Sequence, residues 1–112
     1  MFDYNIEYRK NILFIRMNGN LNSNSFSIIE KELDIVINKL GFYNIVFNFE
    51  LVDNIDIYSI NKLIGWYNLI KKRKGVSYIC GINSKLRNNK LLNYMNEISD
   101  ELCAIRVINW KN

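Results

Sequence analysis

The residues best suited to chemistry lie in one short segment, Asp56-Ile57-Tyr58-Ser59. A helical pattern follows it, so Asp56 is placed to cap a helix and the two hydroxyls fall in the first turn. A phosphoryl group there would meet free backbone N–H groups and the positive end of the helix dipole. It would also bring about two negative charges close to Asp56. The segment therefore has the features that a local phosphorylation switch needs.

The rest of the composition argues against catalysis. The 112 residues include no histidine, which excludes Ser-His and Cys-His pairs and every histidine-containing metal site. No lysine base lies in the segment around Tyr58, and no Walker-type or Gly-x-Gly-x-x-Gly spacing occurs. Glu97, Asp100 and Glu101 follow a predicted helix and are interpreted as a solvated acidic face. We expect neither enzyme activity nor a cofactor.

Charge and hydropathy limit the other classes of function that the chain could have. The net charge is +4, and the densest cations, residues 71–74, come just before Gly75, as last-turn cations that offset the helix dipole do. Nucleic-acid binding is therefore not expected. No apolar run reaches the roughly 18 residues of a membrane span. Cys80 and Cys103 lie in apolar runs and are interpreted as reduced core thiols. We expect a single cytoplasmic domain over residues 1–112, without membrane insertion.

Hydrophobic periodicity predicts the elements that position these residues. Alternation and short apolar runs predict strands, and apolar residues three or four apart predict helices. The predicted strands are residues 2–8, 12–17, 44–49, 76–80 and 103–108. The predicted helices are residues 26–40, 57–74 and 84–98. The first helix has a capping box at Ser27 and Glu30, or an earlier cap at Ser23 or Asn24.

The predicted order ββαβαβαβ indicates an α/β fold. Its opening hairpin is antiparallel and its later crossovers make parallel neighbours, so the sheet is mixed, with helices packed on it. The loops after Asn18, Phe49 and Cys80 are expected to converge at the carboxyl edge, where sites in such folds lie. Gly65 is interpreted as a point where the second helix packs closely on the sheet. Residues 66, 67 and 110 (Trp, Tyr and Trp) are interpreted as core aromatics.

Two motifs in this order resemble the STAS domain family, the sulfate transporter and anti-sigma factor antagonist domain. The family's second strand ends in Gly-x-Leu-Asp, which matches residues 19–22 (Gly-Asn-Leu-Asn). Its third strand leads into Val-x-x-Ile-Asp, which matches residues 52–56 (Val-Asp-Asn-Ile-Asp). The resemblance extends over nearly the whole chain and implies a STAS-like fold.

The sequence departs from the family at the phosphorylation motif. Where the family continues Ser-Ser-Gly-Leu or Ser-Thr-Gly-Leu, this chain reads Ile-Tyr-Ser-Ile, so Tyr58 takes the position that the family phosphorylates. The resemblance implies control by an anti-sigma type Ser/Thr kinase, which is not expected to accept tyrosine. Ser59 is the alternative phosphorylation site, displaced by roughly 100° around the helix.

The resemblance implies a bacterial, non-catalytic regulator that docks to an anti-sigma factor Ser/Thr kinase and releases a sigma factor. The missing Ser-Gly pair favours an alternative, a non-switching adaptor of a transporter ATPase or a signalling scaffold. Asn22 and Asn48 stand where the family carries aspartates, which makes the site less acidic. The implied partner-binding residues are Asn22, Ser23, Asn24, Asp56, Ile57, Tyr58, Ser59, Asn61, Lys62 and Lys72.

Overall fold

Five strands form one mixed sheet in the computed structural model, which describes residues 2–87 and 89–110. In chain order, which is also their order in the sheet, they are β1 (Asp3–Arg9), β2 (Ile12–Leu21), β3 (Asn44–Ile55), β4 (Val76–Cys80) and β5 (Asn96–Glu97). The β1–β2 hairpin is antiparallel, and the three later pairings are parallel because a crossover precedes each one. The predicted α/β class with a mixed sheet is confirmed.

Helices cover both faces of this sheet. They are α1 (Ser23–Asp34), extended by a π-helical turn (Ile35–Lys39), α2 (Ile57–Lys72), α3 (Leu91–Tyr94) and α4 (Glu101–Trp110). The larger core lies under α1 and α2, where Phe26 and Tyr67 pack with strand residues such as Phe47. Alternate strand residues face the other way, and there Phe14 and Val46 form a smaller core with α4.

The chain after β4 differs from the prediction in two places. Residues 84–98 do not form one helix: a turn over residues 84–87 is followed by the short α3 and then by β5. Residues 103–108, predicted as the last strand, belong to α4, so that prediction is wrong. Asp100 begins this helix, since its Oδ1 accepts the N–H of Cys103 at 2.8 Å. A short apolar run does not by itself distinguish a strand from a buried helix.

The three aromatic residues predicted to lie in the core differ in their burial. Trp66 and Tyr67 are buried as predicted, whereas Trp110 is 87% exposed and the core prediction for it is wrong.

Both cysteines are free thiols; Cys80 is buried and Cys103 is half-buried. Burial, reinforced by the nearby Glu101, raises the pKa of Cys80 to about 12, so its thiol stays protonated.

Candidate docking site at two helix N-termini

Two strand ends bring the α1 and α2 N-termini together. β2 and β3 run parallel, and Leu21 pairs with Ile55 at their carboxyl ends. The residue directly after each strand is the N-cap of the helix that follows: Asn22 for α1 and Asp56 for α2. The two motifs that resemble the STAS family therefore lie side by side at one edge of the sheet.

Asp56 joins the two helix starts through one carboxylate. Its Oδ1 accepts the N–H of Ser59 in α2 at 2.9 Å, and its Oδ2 accepts the N–H of Ser23 in α1 at 3.1 Å. Partial burial would raise the pKa of Asp56, but these N–H donors hold it below its usual value. The carboxylate also faces the positive ends of both helix dipoles. The predicted capping role is confirmed, and it extends to a second helix.

Asn22 starts α1 with a reciprocal cap. Its Oδ1 accepts the N–H groups of Asn24 and Ser25 at 3.0 Å each, and its own N–H donates to Ser25 Oγ at 2.9 Å. The predicted caps at Ser23, Asn24 or Ser27 are therefore wrong by one to five positions. An amide oxygen caps about as well as a carboxylate, so the neutral Asn22 is sufficient to start α1.

We expect Asp56→Ala to lower the free energy of unfolding by about 1 to 2 kcal/mol, because two N–H groups lose their acceptor. Urea denaturation at neutral pH measures this loss. Asp53→Ala is the matched control, since Asp53 is an exposed carboxylate in β3 and should change stability by less than about 0.5 kcal/mol. Equal losses in the two variants would show that Asp56 contributes only its charge.

Tyr58 is held across the α1–α2 junction by three contacts. Its hydroxyl donates to Glu30 Oε1 at 3.1 Å, and Lys62 Nζ pairs with Glu30 Oε2 at 3.0 Å. The same ammonium lies 5.8 Å from the centroid of the Tyr58 ring, whose other neighbour is Phe26, edge-on at 6.3 Å. The bond to Glu30 raises the pKa of Tyr58, and Lys62 lowers that of Glu30. Tyr58 remains 40% exposed, with its ring in a defined position.

The structure argues against Ser59 as a phosphorylation site. Ser59 is fully buried, and its Oγ has no hydrogen-bond partner among the described residues. The folded chain therefore does not present this hydroxyl to a kinase. The backbone N–H of Ser59 takes part in the site, as a donor to Asp56.

The remaining predicted residues are not all brought together. The exposed residues at the starts of α1 and α2 include Asn22, Ser23, Asn24, Ile57 and Asn61. Lys62 is half-buried, and its ammonium lies against the Tyr58 ring. Lys72 is exposed at the far end of α2, about 20 Å from Tyr58 by the helical rise, so it stands outside the cluster. Glu30 is the contributor that sequence reasoning missed as a site residue, because its partner Tyr58 is 28 residues away.

A second polar cluster lies on the opposite face, around Glu101. Arg16 Nε and Nη2 donate to the Glu101 carboxylate at 2.8 and 2.7 Å, and Asn48 Nδ2 donates to it at 2.8 Å. This bidentate pair lowers the pKa of Glu101, whose interpretation as a solvated acid is wrong. An aspartate in place of Asn48 would put a second carboxylate against Glu101, so the amide fits this chain. The cluster attaches α4 to β2 and β3.

Metal binding and membrane insertion are two other classes of function on which the structure bears. No group of histidine, cysteine, aspartate or glutamate suited to holding a metal ion occurs within residues 2–87 and 89–110. In the same part of the chain, none of the helices has the length and apolar character needed to cross a membrane.

Comparison with known proteins identifies the family of this chain. A family model described as the STAS domain matches residues 3–95, most of the chain. The chain belongs to the STAS domain family. A curated relative of this STAS domain is an anti-sigma F factor antagonist from Paenibacillus polymyxa. It is 22% identical over 78 residues, which cover 70% of this chain and 67% of the relative.

Solved structures of anti-sigma factor antagonists share the fold of this STAS domain. Unphosphorylated SpoIIAA superposes with a TM-score of 0.78 at 17% identity, covering 96% of this chain and 99% of SpoIIAA. A protein from Thermotoga maritima described as a putative antagonist gives 0.83 at 16% identity, covering 94% and 93%. An antagonist from Mycobacterium paratuberculosis gives 0.83 at 12% identity, covering 96% and 94%. The STAS-like fold predicted from the motifs is confirmed.

Proposed function

We propose that this STAS domain is a non-catalytic antagonist of an anti-sigma factor. It docks through the joined N-termini of α1 and α2 to an anti-sigma factor Ser/Thr kinase, and a sigma factor is released. Such partners would place it in the bacterial cytoplasm. The observation that carries this proposal is that Asp56 fixes both helix starts in one surface, from which Tyr58 projects. The curated relative, an anti-sigma F factor antagonist, supports the same class of function.

The exposed side chains at this surface suit a protein interface. Ile57 and Tyr58 are large apolar residues left 57% and 40% exposed, next to the polar residues at the start of α1. An aromatic anchor with a polar rim is the usual arrangement of an interface hot spot. Because Phe26 and Lys62 already hold the Tyr58 ring, little side-chain entropy is lost on binding. The site is therefore organised before a partner arrives.

The same geometry bears on control by phosphorylation. Tyr58 occupies the family's phosphoacceptor position, and the neighbouring Ser59 hydroxyl is buried. A Ser/Thr kinase thus finds no accessible serine or threonine in the first turn of α2. We infer that docking is not switched off there by the usual phosphorylation. This feature also favours the second candidate function, a non-switching adaptor of a transporter ATPase or a signalling scaffold.

A pull-down from native lysate, with and without ATP, tests the proposal and separates the two candidates. The bait is the tagged chain, with Tyr58→Glu as the parallel bait, and both partners and bait are identified by mass spectrometry. We expect the native bait to retain a Ser/Thr kinase of the anti-sigma type in both conditions, and the variant to lose it. Recovery of a transporter ATPase or scaffold instead would establish the adaptor function. Equal recovery on both baits would contradict docking at Tyr58.

A further inference from the structure

Gly65 lies in the middle of α2, where glycine is less favourable than alanine. It is exposed, and apart from its two chain neighbours and the helix's own backbone no atom of the described residues lies within 4 Å of the position that a Cβ would take. Its φ is not in the left-handed region, in contrast to that of Gly41 or Gly81. The prediction that Gly65 lets α2 pack closely on the sheet is therefore wrong. The described fold gives no reason for a missing side chain here.

Gly65 belongs to a line of exposed residues along α2. Spacings of three or four residues put the members of this line on one face of the helix. The line consists of Ile57, Asn61, Gly65, Asn68 and Lys72. It starts at Ile57, inside the proposed docking surface. At Gly65, between the short side chains of Asn61 and Asn68, no side chain covers the backbone. A gap of this kind allows another helix to approach more closely than ordinary side chains permit.

The charge along α2 selects the kind of helix that would fit. The segment 57–72 contains three lysines and no aspartate or glutamate. Lys62 is paired with Glu30 at 3.0 Å, while Lys71 and Lys72 are exposed near the end of the line. An approaching surface therefore meets positive charge beyond Gly65. Carboxylates are its complement.

We propose that an acidic helix of the anti-sigma factor partner crosses α2 at Gly65, with its carboxylates directed towards Lys71 and Lys72. This inference rests on the proposed function and deepens it, because it names the element of the partner and the chemistry of its contact. Gly65 is then a determinant of partner specificity, and its missing side chain is the space that the partner helix fills.

The first test needs no partner. Because a Cβ at Gly65 meets free space, Gly65→Ala should raise the melting temperature of the isolated chain by roughly 4 °C, through helix propensity alone. A melting temperature that falls would show that the fold itself requires the glycine, which would overturn the inference. The chain alone is also run at several concentrations by size exclusion. A dimer that Gly65→Ala dissociates would make a second copy the occupant and overturn the acidic partner helix.

The second test uses the purified anti-sigma factor kinase retained in the pull-down. Calorimetry should show binding weakened roughly tenfold by Gly65→Ala, since an added methyl group is poorly tolerated in a packed contact, and by a similar factor by Lys72→Glu. Arg106→Glu is the control, because it reverses a charge on α4, across the sheet from α2. Native affinity in both α2 variants would overturn the inference while the proposed function stands. A native chain that retains no such kinase would overturn both.

Discussion

Tyr58→Glu should weaken binding to the anti-sigma factor kinase by roughly a hundredfold or more, in line with the loss of a central aromatic anchor. The substitution removes the exposed ring and puts a new carboxylate next to Glu30, which already accepts from the Tyr58 hydroxyl at 3.1 Å. That charge also falls in the first turn of α2, beside Asp56, as a phosphoryl group at this position would. Isothermal titration calorimetry with the purified kinase measures the effect.

Tyr58→Phe is the matched control for this prediction. It keeps the ring, and with it the edge contact to Phe26 and the Lys62 ammonium, and removes only the hydroxyl that donates to Glu30. We expect its affinity to stay within about threefold of the native value, because an exposed neutral hydrogen bond contributes little. A Tyr58→Glu variant that binds as well as Tyr58→Phe would place the interface elsewhere on the domain.

Glu101→Ala should produce the largest loss of stability, about 2 to 3 kcal/mol in the free energy of unfolding measured with urea. It leaves Arg16 and Asn48 without their shared acceptor and removes one polar attachment of α4 to the sheet, although Arg16 keeps its pairing with Glu7. The side chains of Glu101 and Arg16 are 17% and 32% exposed. The loss should therefore stay below that of a fully buried ion pair.

Glu97→Ala is the control for the Glu101 prediction. Glu97 pairs with Arg87 at 2.8 Å, with Arg87 well exposed, so its removal should cost less than about 1 kcal/mol. Similar losses in the two variants would show that the Glu101 cluster contributes no more than a surface ion pair. The effect of α4 on the smaller core would then come from apolar packing alone.

The Glu101 cluster also predicts how stability depends on pH. Arg16 holds the pKa of Glu101 below its usual value in the folded chain. The contribution of this carboxylate is therefore fully present above the unfolded pKa, and it is lost as pH falls through the lower, folded pKa. On acidification the native chain should lose more stability than Glu101→Gln, which has no carboxylate to protonate. Parallel slopes for the two chains between neutral and acidic pH would contradict this assignment.

Local patterns were sufficient for much of the fold and for the centre of the site. The alternation over β1, the apolar run of β4 and the Asp56 cap each depend on neighbours within a turn or two, and all three are confirmed. The carboxyl ends of two strands were not predicted from the sequence. Both β2 and β3 run beyond their apolar segments to Leu21 and Ile55, because their pairing continues through polar residues.

Contacts between distant segments account for the two side-chain pairs that the sequence did not predict. The bond from Tyr58 to Glu30 and the Arg16–Glu101 pair join residues 28 and 85 positions apart, which no periodicity encodes. The burial of Ser59 is a different case. Its helical phase matches the buried residues Leu63 and Ile70, so the pattern already placed its hydroxyl on the inner face.

The most direct measurement mixes the purified chain with the anti-sigma factor kinase and ATP, then follows the complex by size exclusion and the chain by intact mass spectrometry. Docking through the α1 and α2 N-termini, with Tyr58 exposed and Ser59 buried, predicts a complex that persists in ATP and a chain of unchanged mass. Absence of a complex both with and without ATP would contradict docking. A chain that gains one phosphoryl group and leaves the complex would contradict a docking surface that phosphorylation does not switch.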